Sequence, residues 1–242
     1  MSFVGEAGRL CNHIFRSVAV SLIAEKHDLK IIHFNEGKIK QLGIPLFSGS
    51  KDYSDSIDLY DTVYEDVFAM EKIESNLNLN TSNSSYLQTH KIARRVHAHI
   101  IANKASIIEK NPFKDRYNNN NDAYVHIRLT DAEHLNPGIE YYLKALSMIK
   151  FDTLYISSDN PNHEIIYRIL MEYPDSSSII TYEPEETIQF ASTCKNIILS
   201  HGTFSATIGY FAYDSNVYFS AYDRTAERWC GDVFYMDGWN VV

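Results

Sequence analysis

Apolar residues recur along residues 9–26, RLCNHIFRSVAVSLIAEK, at three- to five-residue spacing through Leu10, Ile14, Phe15, Val18, Leu22 and Ile23. That spacing lays a buried stripe along a helix. Ahead of it, FVGEAG supplies a short apolar start and then glycines; behind it, LKIIHF reads as a short β-branched strand. Strand, glycine loop, helix and strand in this order predict a βαβ unit with parallel strands. Residues 35–88 are polar and turn-rich, with a short helix expected over 68–77. Helical spacing returns over 90–110 through Ile92, Val96, Ile100 and Ile107.

The segment NPFKDRYNNNND, 111–122, holds a proline and a run of asparagines and has almost nothing to bury. A lobe boundary and a long surface loop both fit it. We place the lobes at 1–115 and 116–242. From 123 the pattern is regular: strands over 123–128, 153–157, 178–181, 196–199 and 216–219, separated by helical segments over 138–149, 162–173, 185–193 and 204–213. Strands alternating with helices predict an α/β fold with an open parallel sheet covered on both faces. In such sheets ligands bind beyond the carboxyl ends of the strands.

Composition narrows the class. The 242 residues are 45% hydrophobic and 22% charged, as in soluble globular chains. The net charge of -9 argues against broad nucleic-acid binding, which needs a cationic surface to displace counterions from phosphates. An anionic ligand therefore has to meet a local cluster of arginines. Cys11, Cys194 and Cys230 are odd in number and widely spaced, which indicates neither a disulfide framework nor a zinc site. No apolar run reaches the roughly 20 residues needed to span a bilayer, and no signal-peptide pattern opens the chain. The expectation is a soluble, cytoplasmic protein with no stable membrane span.

The strand ends carry the candidate chemistry. AYVHIRLTD, 123–131, closes on His126, Arg128, Thr130 and Asp131. Alternation puts Tyr124, His126 and Arg128 on one face, with Val125 and Ile127 on the other. A guanidinium offers a rigid fork of donors to two phosphate oxygens; pairing of Arg128 with Asp131 or another acid, closing the loop, is the alternative. TLYISSDNP places Ser158, Asp159 and Asn160 at the same edge, where Asp159 either caps the following helix or accepts from a base or ribose. The stretch NIILSHGTFSATIGYFA runs through Ser200, His201, Gly202, Thr203, Phe204 and Ser205 into a helix, and such helix starts favour anions. In the first lobe, Gly8, Arg9, Asn12, His13 and Arg16 surround the first turns of the opening helix. A solvated face and a ligand-facing cleft both account for them.

Together these segments resemble the superfamily of alpha-1,2-, alpha-1,6- and protein O-fucosyltransferases. His126-Ile127-Arg128-Leu129-Thr130-Asp131 is similar to the family's H-x-R-R-x-D motif, with Leu129 in place of the second arginine. YISSDNP is similar to a strand ending in Ser-Asp-Asp-Pro, with Asn160 for the second aspartate. SHGTFSATIGYFA resembles the last motif, Thr-Phe-Ser entering a helix, and GRLCNHIFRSVA the G-x-L-G-N-Q-x-F start, with Cys11 and His13 departing from it. The resemblance implies a GT-B arrangement of two Rossmann-like lobes with parallel sheets and a cleft between them. It further implies a GDP-sugar donor, inversion at the anomeric carbon, and no metal or other cofactor.

By the same resemblance Arg128 holds the donor β-phosphate, the Thr203–Ser205 loop meets the diphosphate, and Asp159 lies near the nucleoside. The donor-side set is His126, Arg128, Ser158, Asp159, Asn160, His201, Gly202, Thr203, Phe204 and Ser205, with Arg128, Asp131 and Glu133 as catalytic candidates. The alpha-1,6 pattern has a glutamate base where this chain has Asn136; Glu133 and His134 stand nearby. The expected partners are a nucleotide sugar and a glycan acceptor, the acceptor on the N-terminal lobe, with fucose transferred from GDP-fucose. The alternatives are another GDP-sugar, rhamnose or mannose, and a non-catalytic nucleotide- or glycan-binding relative. A separate metal-dependent reading comes from KDYSDSIDLYD, which spaces Asp52, Asp55, Asp58 and Asp61 three apart; a solvated acidic loop explains the same run.

Overall fold

The structure, a computed structural model, describes residues 1–71, 77–81, 85–221 and 233–242. The chain is α/β and divides into two compact units, Met1–Ile107 and Ile108–Val242. The division falls inside the helical stretch ahead of the asparagine-rich loop. The local reason is packing: a Cβ on Gly43 would collide with the Ile107 backbone of the first unit, whereas the Asn111 amide donates to Gln189 O of the second, at 2.9 Å.

The first unit holds a parallel sheet in the order β2-β1-β4-β3, with β1 at Ser2–Val4, β2 at Ile31–His33, β3 at Asp55–Leu59 and β4 at Leu77–Thr81. Helix α1, Leu10–His27, connects β1 to β2 and is buried on nearly every side, beyond the single stripe its periodicity predicts. It packs against α3, Tyr64–Ala69, and α4, His90–Ala102. Asp28 ends α1 in a left-handed conformation, φ 55°, and its carboxylate accepts from Ser50 N–H and Oγ–H. The short α2, Glu36–Gln41, follows β2. Helical spacing over 90–110 resolves into α4 and α5, Lys104–Lys110, with a break at Asn103, whose amide donates to His99 O at 2.8 Å. Of the helix expected over 68–77, residues 72–76 lie outside the described residues; helix α3 ends at Ala69 and residues from Leu77 form β4.

The second unit is a six-stranded parallel sheet in the order β10-β9-β8-β5-β6-β7. Its strands are β5 Ala123–Ile127, β6 Leu154–Ser158, β7 Ser177–Ile179, β8 Asn196–Leu199, β9 Asn216–Phe219 and β10 Asn240–Val241. Helices α6 Ile139–Ser147, α7 Glu164–Glu172, α8 Pro184–Ala191 and α9 Thr203–Tyr210 alternate with them. The chain moves outward from β5 through β6 to β7, then returns and moves outward the other way from β8 to β10. Strand order therefore reverses between the neighbours β5 and β8, which is where open α/β sheets hold their ligands. Val125, Ile127 and Leu129 join Tyr142, Leu146, Ile156, Ile166 and Ile169 in a closed core, each fully buried aliphatic side chain contributing about 1.5–3 kcal/mol. Among the described residues, no helix is long and apolar enough to cross a membrane. Cys11 and Cys194 are buried thiols without a disulfide, and Cys230 lies outside the described residues.

Candidate functional site

The carboxyl ends of β5 and β8 are stitched together by one buried hydroxyl. Arg128 N–H donates to Ser200 Oγ at 3.1 Å, and the Tyr142 hydroxyl donates to the same atom at 3.0 Å. The Asn136 amide then donates to Arg128 O at 2.8 Å and to the Tyr142 oxygen at 3.0 Å, and its carbonyl accepts from Gly138 N–H. Asn136, standing where the alpha-1,6 pattern has its glutamate, is thus a fastener of the loop and has no basic atom. Leu129, standing where the motif has its second arginine, is 1% exposed and belongs to the apolar core.

Arg128 lies on the opposite side of that strand end. Its NH1 group pairs with Asp159 Oδ2 at 2.9 Å and its NH2 group with Asp131 Oδ1. The loop-closing alternative considered for Arg128 is therefore present: both terminal nitrogens meet carboxylates. The two carboxylates differ in kind. Asp131 is 59% exposed, whereas Asp159 is half-buried and also accepts from Leu129 N–H at 2.8 Å, Thr130 N–H at 3.4 Å and the Thr130 hydroxyl at 2.6 Å. Burial works to raise the Asp159 pKa, but the Thr130 and Leu129 bonds and the Arg128 charge outweigh it and hold the carboxyl below its ordinary value. Asp159 does not cap the following helix; it pins the loop that carries Arg128. The cap of α7 is His163.

His126 faces away from the apolar core, as alternation predicts. Its Nδ1 shares a 2.5 Å hydrogen bond with Ser205 Oγ and its ring packs 5.0 Å from Phe204. His126 is 5% exposed and Ser205 0%. Burial, with Arg128 nearby, pushes the His126 pKa down to about 3, so the ring is neutral. These two residues, expected among the donor contacts, brace the strand ends from within through the His126 Nδ1–Ser205 Oγ bond. Thr203 and His201 are nearly buried as well, His201 with its ring 6.2 Å from that of Phe234. Gly202 has φ 97°, and a Cβ there would meet nothing within 4 Å. The positive φ requires glycine and leaves open space at the start of α9. Phe204 is partly exposed beside it.

On the β6 side, Ser158 Oγ accepts from Asn160 N–H at 3.0 Å, and Ser158, Asp159 and Asn160 are all partly exposed. Glu133, in a 3-10 turn Glu133–Leu135, accepts from His163 Nε2 at 3.1 Å. His163 is a site residue the sequence pattern does not reveal, because its partner stands 30 positions earlier; only the shared sheet edge brings them together. His134 adjoins Glu133 in the same turn.

In the first unit the residues of the opening loop separate. Gly8, φ 73°, and Arg9 are exposed, and a Cβ on Gly8 would lie 1.9 Å from the Asn12 side chain. Asn12 accepts from the Gln88 amide at 2.8 Å. His13 is buried, bonded to Asn35 Nδ2 at 2.9 Å and edge-on to Phe34, and burial followed by the Arg16 charge lowers its pKa. Arg16 corrects the expectation of a ligand-facing group: it is 0% exposed, donating to Gly5 O at 2.7 Å, Thr81 Oγ1 at 2.7 Å and Thr81 O at 3.3 Å. It staples the ends of β1 and β4, the strands between which this sheet reverses.

The acidic run disperses too. Asp55 and Asp58 lie on the two faces of β3, Asp52 pairs with the N-terminal amine, and Asp61 accepts from Ser85 Oγ, Leu87 N–H and Gln88 N–H. Three-residue spacing on a strand separates carboxylates that would gather on a helix, and among the described residues no group of His, Cys, Asp or Glu is placed to hold a metal ion.

No protein-family model matches the chain, and a search of curated proteins finds none significantly similar to it.

Proposed function

We propose that the chain is an inverting, metal-independent glycosyltransferase of GT-B type that uses a GDP-sugar, GDP-fucose first, with the donor on the second unit and a glycan acceptor on the first. The observation that carries this reading is the placement of Arg128. It is a partly buried guanidinium at the carboxyl end of β5, where the six-stranded sheet reverses between β5 and β8, the strand that leads to Gly202 and α9. The resemblance of the strand-end segments to fucosyltransferase motifs gives the donor class.

Arg128 is paired with carboxylates, so a diphosphate has to replace one of them. An ion pair with an exposed carboxylate such as Asp131 contributes about 0.2–1 kcal/mol. A charge-assisted bond to an ion contributes about 1.5–3 kcal/mol. The exchange favours phosphate at the Asp131 side, while Asp159 keeps NH1 in place. As the acceptor hydroxyl attacks the anomeric carbon and the C–O bond to the diphosphate breaks, the departing oxygen gains negative charge. Arg128 and the N–H groups at the start of α9 offset it.

A second reading, a non-catalytic nucleotide-binding relative, is favoured by the structural roles of Leu129 and Asn136. A thermal-shift screen over UDP, GDP and CMP separates the cases, since saturation at 100 times Kd adds about 2.7 kcal/mol to stability. GDP is expected to stabilise the chain and the other two not; stabilisation by UDP or CMP alone contradicts the donor assignment. GDP binding without consumption of GDP-fucose, GDP-mannose or GDP-rhamnose selects the second reading. Turnover is expected to be unchanged by a chelator; its loss would return the metal-dependent reading.

A further inference from the structure

We propose that Glu133 and His163 act as one carboxylate–imidazole pair, Glu133 taking the proton of the acceptor hydroxyl and His163 positioning it. The inference rests on the glycosyltransferase reading above and names the base which that reading leaves open.

The pair joins the loops after β5 and β6, neighbouring strands of one sheet, and the first of these loops also carries Arg128. His163 is the N-cap of α7, and its Nδ1 accepts the Ile165 N–H at 3.3 Å. An imidazole nitrogen that accepts carries no proton, so the neutral ring holds its proton on Nε2, which lies 3.1 Å from Glu133 Oε1. The helix cap thereby fixes the tautomer that donates to the glutamate. Of the carboxylates on these two loops, Asp131 and Asp159 pair with Arg128. Glu133 has one oxygen anchored by His163, while its side chain is 62% exposed. A base needs this combination: one oxygen held, the other open to the incoming hydroxyl.

The step balances. The acceptor oxygen forms its bond to the anomeric carbon, the bond to the diphosphate breaks with its electron pair leaving on phosphate, and the hydroxyl proton passes to the open oxygen of Glu133. Glu133 becomes neutral as the diphosphate gains one negative charge.

The test uses the full chain, GDP-fucose, and water or a panel of free monosaccharides as acceptor, with GDP release as the readout and GDP affinity by calorimetry alongside. Glu133→Gln is expected to lower kcat about 100-fold or more while GDP affinity stays within about twofold. His163→Asp keeps a good N-cap acceptor and carries no donor for Glu133. It should lower kcat about 10-fold with GDP affinity and acceptor KM within about twofold, and His163→Gln, which again offers an N–H donor, should recover part of the loss; a purely structural role would shift KM and affinity along with kcat. Glu133→Gln or His163→Asp with kcat within about twofold of wild type overturns the pair while leaving the glycosyltransferase reading intact. A wild-type chain that binds no GDP, or binds it and releases none from GDP-fucose, GDP-mannose or GDP-rhamnose, overturns both.

Discussion

The Asp159 carboxylate gathers two backbone N–H groups, a hydroxyl and one nitrogen of Arg128. It holds the two residues after Arg128 in register and grips the guanidinium itself, so its loss acts through Arg128. Asp159→Ala is expected to weaken GDP binding about 10-fold, since the freed loop has to be ordered again on binding; Asp159→Asn, which keeps one acceptor, should lose less. Calorimetry on both variants checks this, and an unchanged GDP affinity for Asp159→Ala would separate the clamp from the ligand. Residues of this kind show which part of the site the sequence made legible. Arg128 stood out because strand alternation fixes its side from its own neighbours. Asp159 read as either a helix cap or an acceptor from a base or ribose, and His163 did not stand out at all, because their partners, Thr130 and Glu133, lie 29 and 30 residues away and meet them only across a strand pair. Nothing local discloses that Ser205 and His126 bond to each other, because 79 residues separate them.

At the scale of elements, α1 is the instructive case. Its apolar stripe predicted a helix with a solvated face, yet Arg16 and His13 on the other sides are buried. The staple from Arg16 to Gly5 and Thr81 explains why a cation is kept there, although burial lowers its pKa. Arg16→Met fills similar volume but leaves buried carbonyls without donors. It should destabilise the first unit by roughly 2–4 kcal/mol, read by urea denaturation; stability within about 0.5 kcal/mol of wild type would show that the staple is dispensable. Helices and strands over 123–219 were legible because 2- and 3.6-residue periods alternate there; β10, two residues at Asn240–Val241, is too short to show a period. Residues 35–88 were not legible. β3 is a strand of Asp, Ser and Ile with one largely polar face, and α2 and α3 are each six residues long, too short to show a period.

For the whole molecule, the histidines set an acid limit. Burial lowers the pKa of His13, His27 and His33 in the first unit, and that of His126 to about 3 in the second. The unfolded chain binds protons at these rings near pH 6.5, and the folded chain does not. Stability is therefore fully present above about pH 6.5 and is lost as pH falls toward the folded values. His126 alone should cost about 2 kcal/mol on going from pH 7 to pH 5. Urea denaturation at the two pH values checks this; equal stabilities would mean that the rings are not held neutral. The reversal of strand order between β5 and β8 brings the motifs after those strands to one edge, which residue spacing alone does not show. The central claim is that Arg128 at this edge receives a diphosphate, and calorimetric titration of GDP into the wild-type chain and Arg128→Ala tests it most directly. Binding to wild type, weakened about 10-fold or more in the variant, is the predicted result; equal affinity in the two, or no binding to wild type, contradicts it.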